Sequence, residues 1–317
     1  MHSAVRDGRA PSAIAMLARD DEVLWLKSVG EMGPGVPMRA DAILPLASVG
    51  KMYTAVAAMI LVERRTIALD DPVAKYIPQF AGLGITVHHL LTHTGGLTVR
   101  GDSFWAAWNA HSEKTTATEL AKALAALPIQ SKPGERFDYG PTGASYEVLG
   151  AVIEIASGQT LEAFMTQNIF EPLGLSETFF YLPAAQAQRL PAFYRKVDGA
   201  LRPDRAQGED FPRSTYFHGG GGVQASPRDI QRFARLFLDG GTVDGVRVLS
   251  PKWIRLMMTD HLGSKAPQGR GYTWGYGAAL MKGPAGETAQ YGWSGGGYAT
   301  FVGGPRARDS SPISRFQ

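Results

Sequence analysis

Ser48 and Lys51 stand three positions apart in Leu46-Ala47-Ser48-Val49-Gly50-Lys51-Met52, where a helical pattern begins. On a helix that spacing puts the lysine one turn beyond the serine, on the same side. A serine at a helix start sits among free backbone N–H groups, where the helix dipole favours a developing negative charge. The surroundings of Lys51 are largely apolar (Leu46, Met52, Ala55), and desolvation favours a neutral amine. The pair reads as a nucleophile with a proton acceptor, the chemistry of acyl transfer through a covalent intermediate. A plain N-cap serine followed by an exposed lysine has the same spacing, so context carries the weight.

Three other patterns compete. Gly50-Lys51 looks like the tail of a phosphate-binding P-loop, but Pro45 and Met52 stand where that loop needs Gly and Ser or Thr. His89 and His93 lie at i, i+4 in His88-His89-Leu90-Leu91-Thr92-His93 and could share a helix face as metal ligands. The Glu of a metalloprotease helix is missing there, so packing or bonding at a helix end before Gly95-Gly96 is expected, with no metal. Gly292-Trp293-Ser294-Gly295-Gly296 matches the G-x-S-x-G elbow, and His218-Gly219-Gly220-Gly221 resembles a lipase oxyanion loop. That arrangement needs an acid and then a histidine after the serine. Here Asp309 is the one acid after Ser294, and the last histidine is His261. The general base is missing.

The elements that must hold Ser48 and Lys51 follow from periodicity. Ala13 to Ala18 and Val23 to Leu26 flank a charged turn and predict a hairpin. A helix is expected from about Ser48 to Arg65, with Met52, Val56, Met59 and Ile60 on one buried face. A second runs from Pro141 to Ser157, with Gly158 placed to end it. A third opens at Ser226-Pro227 and stops at Gly240-Gly241. Tyr272 to Met281 and Tyr298 to Val302 read as strands, and the glycines at 219–222 and 295–297 predict tight backbone approach. The expectation is an α/β (α+β) fold, with an antiparallel sheet built from both chain ends and flanked by helices. Residues 1–69 and 223–317 would form that discontinuous domain, and 70–222 a mostly helical insertion.

Composition narrows the classes. The 317 residues include 44% hydrophobic and 19% charged residues, ordinary for a globular chain. With no cysteine, disulfide scaffolds, thiolate nucleophiles and cysteine-ligated metals are out. The net charge of +3 comes from 32 basic residues spread along the chain, without the basic stripe that nucleic acid requires. Apolar runs stop well short of the ~20 residues of a membrane span. The first residues lack the ~7–15 apolar positions of a secretory signal, which makes the cytoplasm the expected compartment.

The runs PLASVGKMYTAVAAMILVERRTIALDDPVAKYIPQF, ITVHHLLTHTGGL and FDYGPTGASYEVLGAVIE, in this order and spacing, resemble the β-lactamase-like serine hydrolases. This superfamily holds class C β-lactamases, D,D-peptidases and family VIII esterases, and the resemblance covers roughly residues 10 to 303. It implies a nucleophile at Ser48, Lys51 as its partner and Tyr139 as the tyrosine of the second motif. It also implies an oxyanion hole from the backbone N–H groups of Ser48 and Gly296, with no cofactor. Two departures set the substrate expectation. The second motif, usually Y-x-N, is Tyr139-Gly140-Pro141, and the third, usually K-T-G or H-T-G, is Trp293-Ser294-Gly295. Both look like family VIII carboxylesterases and the related acyltransferase that builds statin side chains.

A third departure is the stretch after Val302-Gly303, which is polar and aperiodic where the family usually continues with strands and a helix. It predicts a truncated or frameshifted end that leaves sheet edges uncovered. The leading expectation is a carboxylesterase of short acyl esters, with transfer of acyl groups to alcohols as a second activity and with Lys51 and Tyr139 both open as the base. A β-lactamase, a D,D-peptidase or a small-amide hydrolase is the alternative within the superfamily. A catalytically dead fold remnant or binding protein is the alternative outside enzymes.

Overall fold

A computed structural model describes residues 1–97, 116–140, 144–210, 213, 215–284, 287–296 and 299–304. The helix at Lys51–Glu63 runs through the middle of the main core. Every residue from Lys51 to Val62 is buried, not the single face that the spacing predicts. The reason lies in three neighbours. Tyr53 stacks on Phe233 of the Pro227–Leu238 helix with ring centroids 3.6 Å apart. The Ala144–Ser157 helix packs against a second side. A turn of the C-terminal sheet covers a third, where a Cβ on Gly277 would lie 2.5 Å from the Ala55 Cβ. A helix apolar all round is a core helix.

The other predicted helices form where expected. Ser226 caps Pro227–Leu238 by accepting from the Asp229 N–H. Ala144–Ser157 ends at Gly158, whose φ is +69°; its predicted start at Pro141 lies outside the described residues. Additional strands interrupt the 70–222 stretch: Phe193–Val197 pairs with Ala200–Arg205, and Thr178–Phe179 with Gln224–Ala225.

The predicted N-terminal hairpin is formed by Ser12–Arg19 and Glu22–Gly33. Near the other end, Tyr272–Trp274, Ala279–Lys282, Thr288–Gly295 and Ala299–Gly303 form a four-stranded antiparallel meander. Among the described residues the two ends hydrogen-bond as separate sheets. The α/β class holds, with antiparallel strands from both ends and helices between. The stretch 272–281, read as strand throughout, is instead a hairpin. Gly277 has φ +93° and sits against the core helix, so the chain must turn there. The polar tail from residue 305 onward, where truncation was expected, lies outside the described residues. No single helix among the described residues is long and apolar enough to cross a membrane.

Candidate active site

Ser48 lies in a short 3-10 turn, Ala47–Gly50, that leads directly into the Lys51–Glu63 helix. Gly50, not Ser48, takes the N-cap position of that helix. Ala47 is held at φ +44°, a region that side-chain-bearing residues rarely adopt. Such strain persists only where the surroundings over-determine it. Here a three-stranded sheet does so: Leu44–Pro45 pairs with Gln224–Ala225, and Leu46 N–H donates to the Val223 carbonyl at 2.8 Å. That pairing also draws Gly219–Gly222 beside the turn, and a Cβ on Gly221 would meet the Ala47 backbone at 3.1 Å.

Lys51 is 2% exposed, as the apolar surroundings imply. Its Nζ donates to Ser48 Oγ at 3.0 Å and to the Gly220 carbonyl at 2.6 Å. It also lies 5.3 Å from the ring centroid of Tyr139 and 5.9 Å from that of Tyr146. An isolated buried ammonium would cost many kcal/mol; two acceptors and two aromatic faces compensate it here.

Tyr139 is held from behind by the His93–Gly96 loop. Asp138 N–H donates to the His93 carbonyl at 2.9 Å, Gly134 N–H to Thr94 at 2.8 Å and Gln130 N–H to Gly96 at 2.8 Å. Gly96 has φ +72°, and a Cβ there would fall 2.3 Å from the Ser131 carbonyl, so glycine is needed for the two loops to meet. The loop is anchored in turn, because the Tyr146 hydroxyl and the Trp274 indole both donate to the Leu91 carbonyl, at 3.0 and 3.1 Å. The histidines act as packing and capping groups. His89 forms a reciprocal capping box with Thr86, and His93 is buried among Phe137, Tyr139, Tyr146 and Trp274. Burial, then the charge of Lys51, push the His93 imidazole well below its ordinary value, so it is neutral.

Trp293 joins this group from the Thr288–Gly295 strand. Its indole N–H donates to the Tyr139 hydroxyl oxygen at 2.8 Å. The ring lies 4.9 Å from Tyr139, 4.8 Å from Trp274 and 5.6 Å from Tyr272, an aromatic wall beside the serine–lysine pair. Ser294 is exposed near the end of the paired strand Thr288–Gly295, facing Thr300 in register. A lipase elbow needs a sharp strand-to-helix turn at the serine, and none exists here.

Gly295 brings the strand and the Ser48 turn together. A Cβ there would be 2.2 Å from the Leu46 carbonyl and 2.9 Å from the Ala47 Cβ, whereas Gly296 faces open space. Gly295→Ala must push the strand away from the turn, and Trp293 and the Gly296 N–H with it. The expected result is a folded protein whose kcat on an ester falls by at least about tenfold, the usual penalty of an ångström of misplacement being larger. Unchanged kcat would mean that this contact does not place the strand for chemistry.

Structure thus brings Ser48, Lys51, Tyr139, Trp293 and Gly295 into one region, with Gly296 next in the chain. Pro141 lies outside the described residues. Sequence reasoning missed the Gly220 carbonyl, Thr54 and Glu147. The glycine run and a carboxylate inside an apolar helix were the available signals.

Comparison with known proteins bears on the family and the fold. The family model described as "Beta-lactamase" matches residues 1–311. Protein Rv1367c of Mycobacterium tuberculosis is 31% identical over 280 residues, covering 80% of this chain and 69% of that protein. Esterase EstB of Burkholderia gladioli is 30% identical over 330 residues, covering 89% of this chain and 78% of that protein. The solved structure of EstCE1, titled a hydrolase with promiscuous acyltransferase activity, matches with a TM-score of 0.76 at 24% identity, over 93% of this chain and 85% of that one. A family model that spans nearly the whole sequence, on a fold shared at that level, makes this chain a member of the β-lactamase family of serine hydrolases.

Proposed function

We propose that the protein is a serine carboxylesterase that cleaves short-chain esters through an acyl-enzyme on Ser48. The observation that carries this reading is the 3.0 Å hydrogen bond between the buried Lys51 Nζ and Ser48 Oγ, with the Tyr139 ring against the same amine. Ser48 Oγ attacks the ester carbonyl carbon and passes its proton to Lys51 or Tyr139. The C–O bond to the alcohol breaks, and the alkoxide takes up that proton as it leaves. Water then attacks the acyl carbon and gives its proton to the same groups, the acyl C–O bond to Ser48 breaks, and Ser48 Oγ takes that proton back as the carboxylic acid leaves; an alcohol in place of water releases a new ester instead. The backbone N–H groups of Ser48 and Gly296 serve as the oxyanion hole, which the approach of Gly295 to Leu46 and Ala47 supports.

The Trp293 N–H donated to the Tyr139 oxygen strengthens when that oxygen carries negative charge. It therefore assists Tyr139 whenever the phenol gives up its proton. The partly exposed rings of Tyr272 and Trp293, backed by the buried Trp274, suit an apolar acyl or alcohol group. Similarity to an esterase of B. gladioli points the same way.

The direct test is covalent labelling. Intact-mass analysis after treatment with a fluorophosphonate should show one adduct, absent in Ser48→Ala. Labelling at Ser294 would overturn the assignment.

A further inference from the structure

Glu147 takes no part in the reaction as written, yet it is only 4% exposed, on a helix whose other buried residues are all uncharged. A buried carboxylate without partners costs several kcal/mol, and this one is fully engaged. It accepts from the Tyr216 hydroxyl, from Gly219 N–H at 3.1 Å and from Gly220 N–H at 3.1 Å, with His218 Nδ1 at 3.9 Å. Glycine at 219 makes that reach possible, because a Cβ there would fall 2.2 Å from the Tyr146 carbonyl. The opposite side of the same two residues is held by the Lys51–Glu63 helix. Thr54 Oγ1 donates to the Gly219 carbonyl at 2.6 Å, and Lys51 Nζ to the Gly220 carbonyl at 2.6 Å.

The carboxylate and the ammonium therefore grip one glycine turn from its two sides. We propose that Glu147 is a positioning residue for Lys51: it anchors the Gly219–Gly220 turn whose carbonyl holds the amine, and it balances the charge of that amine. This rests on the reading of Ser48 and Lys51 given above.

Two effects follow. The first is geometric: Lys51 Nζ is shared between Ser48 Oγ and the Gly220 carbonyl, so a loosened turn lets the amine leave the serine. The second is electrostatic. The charged and titratable groups around Glu147 are His218, Tyr216 and Lys51, with Glu154 felt at Tyr216. Burial pushes the Glu147 carboxyl up, but the His218 contact, the Tyr216 hydroxyl and the charge of Lys51 together hold it below the usual range. The charge of Lys51 is among the causes that lower the Glu147 carboxyl, so the carboxylate and the serine–lysine pair are electrostatically coupled. Removing the carboxylate charge should therefore shift the acidic limb of the rate profile, which a purely structural prop would leave in place.

The experiment measures kcat and KM for a chromogenic butyrate ester across the acidic limb of the pH profile, for wild type, Glu147→Gln and Glu147→Asp. For Glu147→Gln, kcat at the optimum is expected to fall about tenfold with KM within about twofold, and the acidic limb to move down by about one pH unit. Glu147→Asp keeps the charge but shortens the reach, so its kcat falls while the limb stays in place. A slower Glu147→Gln enzyme with an unmoved limb would reduce Glu147 to a structural prop and overturn the proposal. Should Glu147→Gln not fold, Glu147→Asp and Tyr216→Phe decide: both should lower kcat several-fold at unchanged KM, and wild-type kcat in both would overturn it. An inactive wild type overturns the esterase reading itself, a result separate from an active wild type with indifferent variants.

Discussion

Lys51→Ala and Tyr139→Phe should each lower kcat on a short-chain ester by at least about 100-fold, the scale of losing a positioned acid or base. Lys51 Nζ is 3.0 Å from Ser48 Oγ, so its removal takes away the side chain hydrogen-bonded to the nucleophile. An amine or a phenol in water keeps its proton at neutral pH, and one of the two must give it up for Ser48 to react. Only a group held in the protein's own field can do so, and free amine in the buffer should not restore the rate. Tyr139→Phe removes the oxygen that Trp293 donates to, while keeping the ring that packs against His93 and Trp274. Its KM should therefore change little. The double variant should be hardly worse than either single one, because groups that act as a unit are non-additive. Steady-state kinetics on the three variants, with Tm as the check on folding, decides the matter. Near-wild-type turnover in a single variant removes that residue from the reaction.

Esters should be turned over far faster than cephalosporins. Where lactamases of the superfamily place a cation, this chain places the Trp293 indole, packed between Tyr139, Trp274 and Tyr272. A substrate carboxylate pressed against that wall loses water and meets no fixed charge in the third motif. At about 2–4 kcal/mol for an uncompensated polar group, the penalty is about 30- to 1,000-fold in kcat/KM. The measurement is kcat/KM for a chromogenic butyrate ester and for a chromogenic cephalosporin at one pH. Equal values, or a preference for the cephalosporin, would mean that Trp293 does not set the substrate class. Arg270, whose charge reaches Tyr272, would then be the next residue to replace.

The spacing of Ser48 and Lys51 was legible because it is local. Three residues along a helical turn determine which side chains meet, whatever the rest of the chain does. The apolar neighbours told correctly that Lys51 is buried, and Ser226 and Gly158 marked helix ends through their own backbone chemistry. Motif order ruled out Ser294 before its position in the strand did. Long-range partners were not legible. Lys51 meets a carbonyl 169 residues away, and the Trp293–Tyr139 bond spans 154 residues. The glycine run at 219–222 announced a close approach, but not that Ala47 lies on one side and Tyr146 on the other. Periodicity also assigned one buried face to the Lys51–Glu63 helix, because hydropathy cannot count how many elements will surround it. Local hydrogen-bond geometry is written into residue type and spacing, whereas the meeting of distant backbones depends on how all the layers pack. In this protein that packing alone decided that Glu147 and Lys51 meet at Gly220.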